Sequence, residues 1–194
     1  ACVCGNFAQV DPTQQGWTAQ AEPSSLLASL KIGRVNHWHV SKHDVKGAFL
    51  NAKLPEGRLV VVQPPQIWVT WGLVEPGELW TLERAVYGLR ESPALWSAER
   101  DMQLRNLEWC VGKETYYLRC CPSDSQVWLL TRKNDPKNKS LGLLVVYVDD
   151  FLLQTAEGSM RDSFLAALGK VWTLDKEQTL EVGKPFTFLG IEME

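Results

Sequence analysis

No apolar run in the 194 residues approaches the length of a membrane-crossing helix, and no signal peptide opens the chain. Basic residues are not in excess. Lys and Arg number 20 against 23 Asp and Glu, a net charge of −3. Such a total gives no hint of a nucleic-acid partner, although it can hide a basic groove beside an acidic site. Cysteine is sparse. Cys2, Cys4, Cys110, Cys120 and Cys121 are odd in number and irregular in spacing. That pattern excludes a regular disulfide framework and points to a reduced, intracellular setting. There is no internal repeat, low-complexity tract, P-loop or dinucleotide fingerprint. What is present is an ordinary globular composition, 45% hydrophobic and 22% charged, with nine tryptophans that argue for a buried aromatic surface and against disorder.

Periodicity and turn residues predict the elements. A short helix is expected at 24–30, capped by Ser24 or Ser25, with Leu26, Leu27 and Leu30 on one face. Residues 35–43 predict a strand leading to Asp44. Residues 47–54 are helix-like and stop at Pro55-Glu56-Gly57. A β-branched strand at 58–63 is stopped by Pro64-Pro65, and the Trp-rich stretch 66–80 reads as irregular. Pro93 opens a helix to about residue 107, with Leu95, Ala98, Met102 and Leu107 at roughly helical spacing. Strands follow at 116–120, 126–132 and 141–148, with 151–154 returning as a hairpin partner. A helix opens at Gly158-Ser159 with Met160, Phe164, Leu165 and Leu168 on one face, and a strand at 186–193 closes the chain. Without strict βαβ alternation the class is α+β. A strand is also expected at residues 1–4, and both ends read as cut from something longer.

Four segments carry chemistry. In Tyr147-Val148-Asp149-Asp150 an apolar strand ends in two adjacent carboxylates and resumes as Phe151-Leu152-Leu153. Two charges inside a buried hairpin are costly without partners. A tight turn at the pair resolves this, and so do bound cations; a solvated surface turn satisfies the local pattern too. Asp44-Val45-Lys46-Gly47-Ala48-Phe49 places a single carboxylate after a strand, which is also how an N-cap aspartate looks. Val86-Tyr87-Gly88-Leu89-Arg90-Glu91-Ser92-Pro93 joins a strand to a helix. Gly88 permits close backbone approach, and Arg90 brings positive charge suited to a phosphate or a template base. Phe188-Leu189-Gly190 reads as a strand with a glycine bulge. His37 and His39 are expected on one strand face close to His43, which suits Zn²⁺, but no CxxC accompanies them and structural histidines are favoured. Cys120-Cys121 and most tryptophans read as packing.

In this order, the four segments resemble motifs A, B, C and E of reverse transcriptases. The blocks DVKGAFLNAKLPEG, VVVQPP, WTLERAVYGLRESPALW, LLVVYVDDFLL and FLGIEM, with the opening CVCGNFAQ, are similar to the copia-type retrotransposon branch. The resemblance implies a reverse transcriptase-like palm, an antiparallel sheet packed on helices, with part of the fingers. The fingers would cover about 1–34 and 52–84, and the palm about 35–51 and 85–194. It implies an RNA-directed DNA polymerase fragment. Asp44, Asp149 and Asp150, with the carbonyl of Val45, would hold two Mg²⁺ or Mn²⁺ ions for nucleotidyl transfer from dNTPs onto a primer 3′-hydroxyl. Phe49 matches the steric gate against a 2′-hydroxyl. Ala48, Phe49, Tyr87 and Arg90 would bind the nucleotide. Gly88, Ser92, Pro93, Tyr147, Val148, Phe188, Leu189 and Gly190 would meet template or primer. Lys170, Lys176 and Lys184 all remain candidates for the motif D lysine.

The expected partners are an RNA or DNA template-primer, dNTPs, and a thumb and RNase H region in cis in the same polyprotein, with no membrane. The expected location is a cytoplasmic particle or the nucleus. Glu91 stands where this branch usually has a neutral amide, and the basic residues that grip the triphosphate would lie at or before Ala1. A catalytically inactive, nucleic-acid-binding remnant of the same fold is the alternative, and an unrelated globular domain with surface carboxylates is a third reading.

Overall fold

The computed structural model describes residues 19–137 and 139–194. The expected strand at 1–4 and the CVCGNFAQ block lie outside the described residues. The chain forms two compact units, one of Gly47–Glu99 and one of residues 19–46 with Arg100–Glu194.

In the larger unit, helix α1 (Pro23–Val35) is followed by β1 (His39–Asp44). After Arg100 come the end of helix α3 (Ser92–Asn106), then β4 (Glu108–Val111), β5 (Glu114–Cys120), β6 (Val127–Arg132), β7 (Ser140–Tyr147) and β8 (Asp150–Thr155). Helix α4 (Ser159–Val171), strand β9 (Gln178–Thr179) and the hairpin β10 (Phe186–Phe188) with β11 (Ile191–Met193) complete it. Seven of these strands form one sheet in the order β4-β5-β6-β7-β8-β1-β9, each pair antiparallel. The expected α+β class with an antiparallel sheet is what these residues build.

The central strands are covered on both faces, which is why they read as near-continuous apolar runs rather than alternating ones. On one face, Val127, Leu143, Val145 and Leu152 pack with Leu26 of α1 and with Phe186, Phe188 and Met193 of the β10–β11 hairpin. On the other lie Phe151 and Leu153 of β8; the Phe151 ring meets Trp172, and Trp109 of β4 meets Phe164 of α4. Each fully buried Leu or Phe contributes roughly 1.5–3 kcal/mol relative to exposure. Helix α1 comes close to the sheet because Gly33 has no Cβ: one placed there would lie 2.7 Å from Oε1 of Gln154 in β8.

Several elements differ from expectation. Helix α1 starts at Pro23, with Glu22 as its N-cap, and runs on to Val35; Pro at the first helical position loses no bond and presets φ. The strand expected at 35–43 therefore begins only at His39. His37 sits in the intervening turn at φ 55°, so it shares no strand face with His39. Strand β4 was not foreseen. In α3 the buried residues at four-residue spacing are Trp96, Arg100 and Leu104, all with no exposure, whereas Met102 is 44% exposed. The stripe drawn through Ala98 and Met102 is corrected accordingly. The closing segment 186–193 is two strands around a two-residue turn, with Phe188 paired to Ile191. Leu189 and Gly190 both have positive φ, 52° and 71°, which describes a type I′ turn and replaces the expected bulge.

The smaller unit, Gly47–Glu99, opens with a 3₁₀ turn (Ala48–Asn51) where a helix was expected at 47–54. Strand β2 (Val61–Val62) pairs with β3 (Trp80–Thr81), so only two residues of the expected 58–63 strand are in a ladder. The stretch 66–80, expected to be irregular, contains a helix, α2 (Gln66–Thr70), and ends in β3. Its Trp68 packs on Trp80 at 5.6 Å between ring centroids. Among the described residues no helix is long and apolar enough to cross a membrane.

Candidate active site

Strand β7 hands over to β8 through a two-residue turn. Tyr147 pairs with Asp150, and Val148-Asp149 forms the turn. Val148 has φ 55° while Asp149 does not have positive φ. That is the type II′ pattern, in which the first turn residue is ordinarily glycine. The turn also settles how two adjacent carboxylates fit the hairpin: Asp149 lies outside the ladder and Asp150 is the first residue of β8.

The third carboxylate is its neighbour across the sheet. β1 runs antiparallel to β8 with Asp44 directly opposite Asp150, and the amide of Val45 donates to the carbonyl of Asp149 at 3.0 Å. Directly opposed residues share a sheet face, and like charges there repel. All three aspartates are half-buried. Burial, and then the charges of Asp149 and Asp150, push the Asp44 carboxyl above its ordinary value. Burial likewise raises that of Asp149, partly opposed by its own backbone amide and reinforced by Asp150. Lys42 offsets them in part: its Nζ lies 3.0 Å from Asp150 Oδ1 and donates to the carbonyl of Thr187 in β10 at 3.1 Å.

A shallow pocket of about 220 Å³ is lined by Lys42, Asp44, Asp150, Asp175, Lys176 and Gln178. Asp175 is held there by its amide, which donates to the carbonyl of Asp44 at 2.9 Å. Among the motif D candidates, Lys176 lines this pocket, Lys184 pairs with Glu181 at 2.6 Å, and Lys170 lies in the last turn of α4. A larger groove of about 820 Å³, lined by α1 residues such as Leu27 and by Trp38 and Met193, contains none of the expected site residues.

The donor set suits a hard divalent cation, since its acidic oxygens come from Asp44, Asp149 and Asp150 while Lys42 pairs with Asp150 alone of the three. Among the described residues no three His, Cys, Asp or Glu side chains are already gathered on one point; the aspartates stand side by side. The described histidines go elsewhere. His39 pairs with Glu157 at 3.1 Å, and His39 and His43 each lie 3.9 Å from Glu177, which also takes Arg161. Cys110, Cys120 and Cys121 are free thiols.

In the smaller unit three of the expected nucleotide residues, Ala48, Phe49 and Tyr87, lie together. The rings of Phe49 and Tyr87 pack at 4.7 Å, tilted by 53°, and Ala48 is buried beside Phe49 in the 3₁₀ turn. Gly88 has φ 100°, a conformation that favours glycine. Ser92 is buried at the start of α3, ahead of Pro93, and its hydroxyl donates to the carbonyl of Val86 at 2.7 Å. Arg90 is exposed. Glu91 is not a bare negative charge, because Arg58 pairs with it at 3.1 Å. In the larger unit, Phe188 is buried with its ring 6.4 Å from that of Tyr147, so the turn Leu189-Gly190 is anchored beside the β7–β8 hairpin.

Sequence reasoning missed Lys42, Asp175 and Arg100. Lys42 stands two residues before Asp44 and therefore on the same face, a signal that strand periodicity carried. Arg100 had none, because a charged residue in a helix is assigned to solvent by default.

Residues 15–194 match the family model of reverse transcriptase (RNA-dependent DNA polymerase). The chain is 28% identical over 155 residues to a putative transposon Ty5-1 protein of Saccharomyces cerevisiae, covering 77% of this chain and 41% of that protein. It is also 28% identical over 172 residues to the retrovirus-related Pol polyproteins of transposons RE1 and RE2 of Arabidopsis thaliana, covering 87% of this chain and 10% of each polyprotein. The chain thus spans less than half the length of these relatives. It belongs to the reverse transcriptase family, in its copia-type retrotransposon branch.

Proposed function

We propose that the chain is the fingers and palm part of an RNA-directed DNA polymerase, which joins dNTPs to a primer 3′-hydroxyl on a nucleic-acid template. The observation that supports this best is the meeting of Asp44 with the Asp149-Asp150 turn across one β-ladder. Asp44 and Asp149, with the Val45 carbonyl, would hold two Mg²⁺ or Mn²⁺ ions, and Asp150, which pairs with Lys42, would complete the set. Divalent cations held there would supply Lewis-acid activation of the primer hydroxyl and neutralisation of charge on the departing pyrophosphate.

The remaining residues bind and orient. Phe49, stiffened by Tyr87, excludes a 2′-hydroxyl and selects dNTPs. Arg90 meets phosphate, and Gly88 lets backbone approach the template. The turn Leu189-Gly190 grips the primer end. Lys176 serves as the motif D lysine, since it is the candidate that lines the carboxylate pocket. Thumb and RNase H regions act in cis in the whole polyprotein, inside a cytoplasmic particle or the nucleus.

Primer extension on poly(rA)/oligo(dT) with Mn²⁺ tests this, using the 194-residue chain, its Asp149→Asn variant and a chain lengthened at both ends. The lengthened wild type is expected to extend the primer, and Asp149→Asn to lose activity on the order of 10³-fold. No extension by the lengthened chain, with template-primer still bound, would establish an inactive nucleic-acid-binding remnant instead. Extension unchanged in Asp149→Asn would place the chemistry elsewhere.

A further inference from the structure

Arg100 is a fully buried guanidinium. Burying an arginine costs several kcal/mol unless its donors are all well placed, and an aliphatic residue between Trp96 and Leu104 would avoid that cost. Its donors are placed on specific acceptors. Nε and Nη2 reach Asp101 Oδ1 at 3.0 and 2.8 Å, and Nη2 also reaches Oε1 of Gln126. Nη1 donates to the carbonyl of Val148 at 2.9 Å. Gln126 is itself tied to the same hairpin, because its carbonyl accepts from the amide of Val146 at 2.9 Å.

The Val148 carbonyl is a telling target. Val148 is β-branched, yet it holds φ 55° at the turn position that glycine ordinarily takes. That conformation is strained in a β-branched L-residue, so contacts beyond the turn are needed to hold it. The Val148 carbonyl and the Asp149 amide belong to one planar peptide unit. Pinning that carbonyl therefore fixes the plane from which the Asp149 side chain departs.

We propose that Arg100 is a positioning residue: from the buried face of α3 it locks the Val148-Asp149 peptide and so sets the direction of the Asp149 carboxylate. The backbone part of this claim is independent of the enzyme reading, and the catalytic part rests on it.

Hydrogen exchange followed by mass spectrometry on the full chain separates the two, comparing wild type, Arg100→Lys, Arg100→Met and the double variant Arg100→Met/Val148→Gly. In Arg100→Met, exchange of amides 147–151 is expected to rise about tenfold while β5 and β6 keep wild-type rates, since about 1.4 kcal/mol of local opening energy is a factor of ten. Arg100→Lys keeps the charge without the fork and is expected to loosen the same amides less; it decides the matter if the Met variant does not fold. Val148→Gly in the Met background is expected to restore protection, because glycine takes the turn conformation unaided. In the lengthened chain, Arg100→Met is expected to lower kcat about 10²-fold with KM for dNTP unchanged. Unchanged hairpin exchange in the Lys and Met variants, or loosening spread evenly over the sheet without rescue by Val148→Gly, would overturn the proposal. A wild type without extension but with the expected exchange pattern would sink the polymerase reading and leave the role of Arg100 standing.

Discussion

Among the described residues, two hairpins of the larger unit place a non-glycine side chain at positive φ in a two-residue turn. At β10–β11 the turn is Leu189-Gly190, and at β7–β8 it is Val148-Asp149. The first is held by its own apolar contacts. The pair flanking it is Phe188 and Ile191, and Leu189 itself packs partly against the core cluster. The second is flanked by Tyr147 and Asp150, with Asp44 beyond, and it works against itself with three carboxylates. Its restraints come from outside the hairpin, among them Arg100 of α3 on the Val148 carbonyl and the Val45 amide on the Asp149 carbonyl. A hairpin that only packs can be stabilised locally. One that must present charge carries strain and repulsion, and these are offset elsewhere in the fold.

The largest effect that sharpens this contrast is at the glycine. A Cβ on Gly190 would meet nothing within 4 Å, so Gly190→Ala carries only the conformational penalty at φ 71°. A loss of about 1–2 kcal/mol in denaturant unfolding is expected. The reverse change, Val148→Gly, removes strain but adds chain entropy, and is expected to move stability by less than about 1 kcal/mol. Equal losses at both positions would mean that the two turns are held alike, and the contrast would fail.

Leu189→Ala comes next in size. Leu189 is half-buried against the core cluster, so truncation is expected to cost about 1 kcal/mol by urea unfolding. Exchange of amides in the β7–β8 hairpin should stay at the wild-type rate. Loosening of both hairpins together would show that they share one restraint.

How much of this was legible follows from which forces write themselves into sequence. The runs LGLLVVYV and FLLQT mark β7 and β8 because burial demands apolar residues, and the carboxylate pair marks the turn because charge cannot stay within the ladder. Phe164 and Leu168 mark the inner face of α4 by spacing alone. The rest was hidden for equally physical reasons. Arg100 interrupts the apolar stripe of α3, so the periodicity pointed to Met102. Leu189 gave no sign of a left-handed turn, because leucine adopts that conformation only under tertiary packing. Strand β4 is short and polar at Glu108, and its pairing with β5 depends on a turn at Gly112-Lys113 that no apolar pattern announces.

The smallest expected effect probes the charge that distinguishes the β7–β8 hairpin. Asp44 and Asp149 have folded-state pKa values above the ordinary 3.8, chiefly through burial. A carboxyl whose folded pKa is raised favours the folded state below the unfolded value, and that contribution is lost as pH rises through the raised value. In EDTA, at pH above the raised values, the ionised carboxylates repel, so Asp44→Asn is expected to melt slightly above wild type, by about 1–2 °C given solvent screening at a half-exposed site. The gap should close as pH falls through the raised value, where the wild-type carboxyl takes up its proton. It should also close, and then reverse, when Mn²⁺ is added at neutral pH, because the cation binds wild type more tightly than the variant and stabilises by mass action. Thermal scans at several pH values with and without Mn²⁺ read all three outcomes. A variant that melts below wild type in EDTA would show that Asp44 is a structural partner in its ladder, and the comparison between a packed hairpin and a charged one would lose its basis.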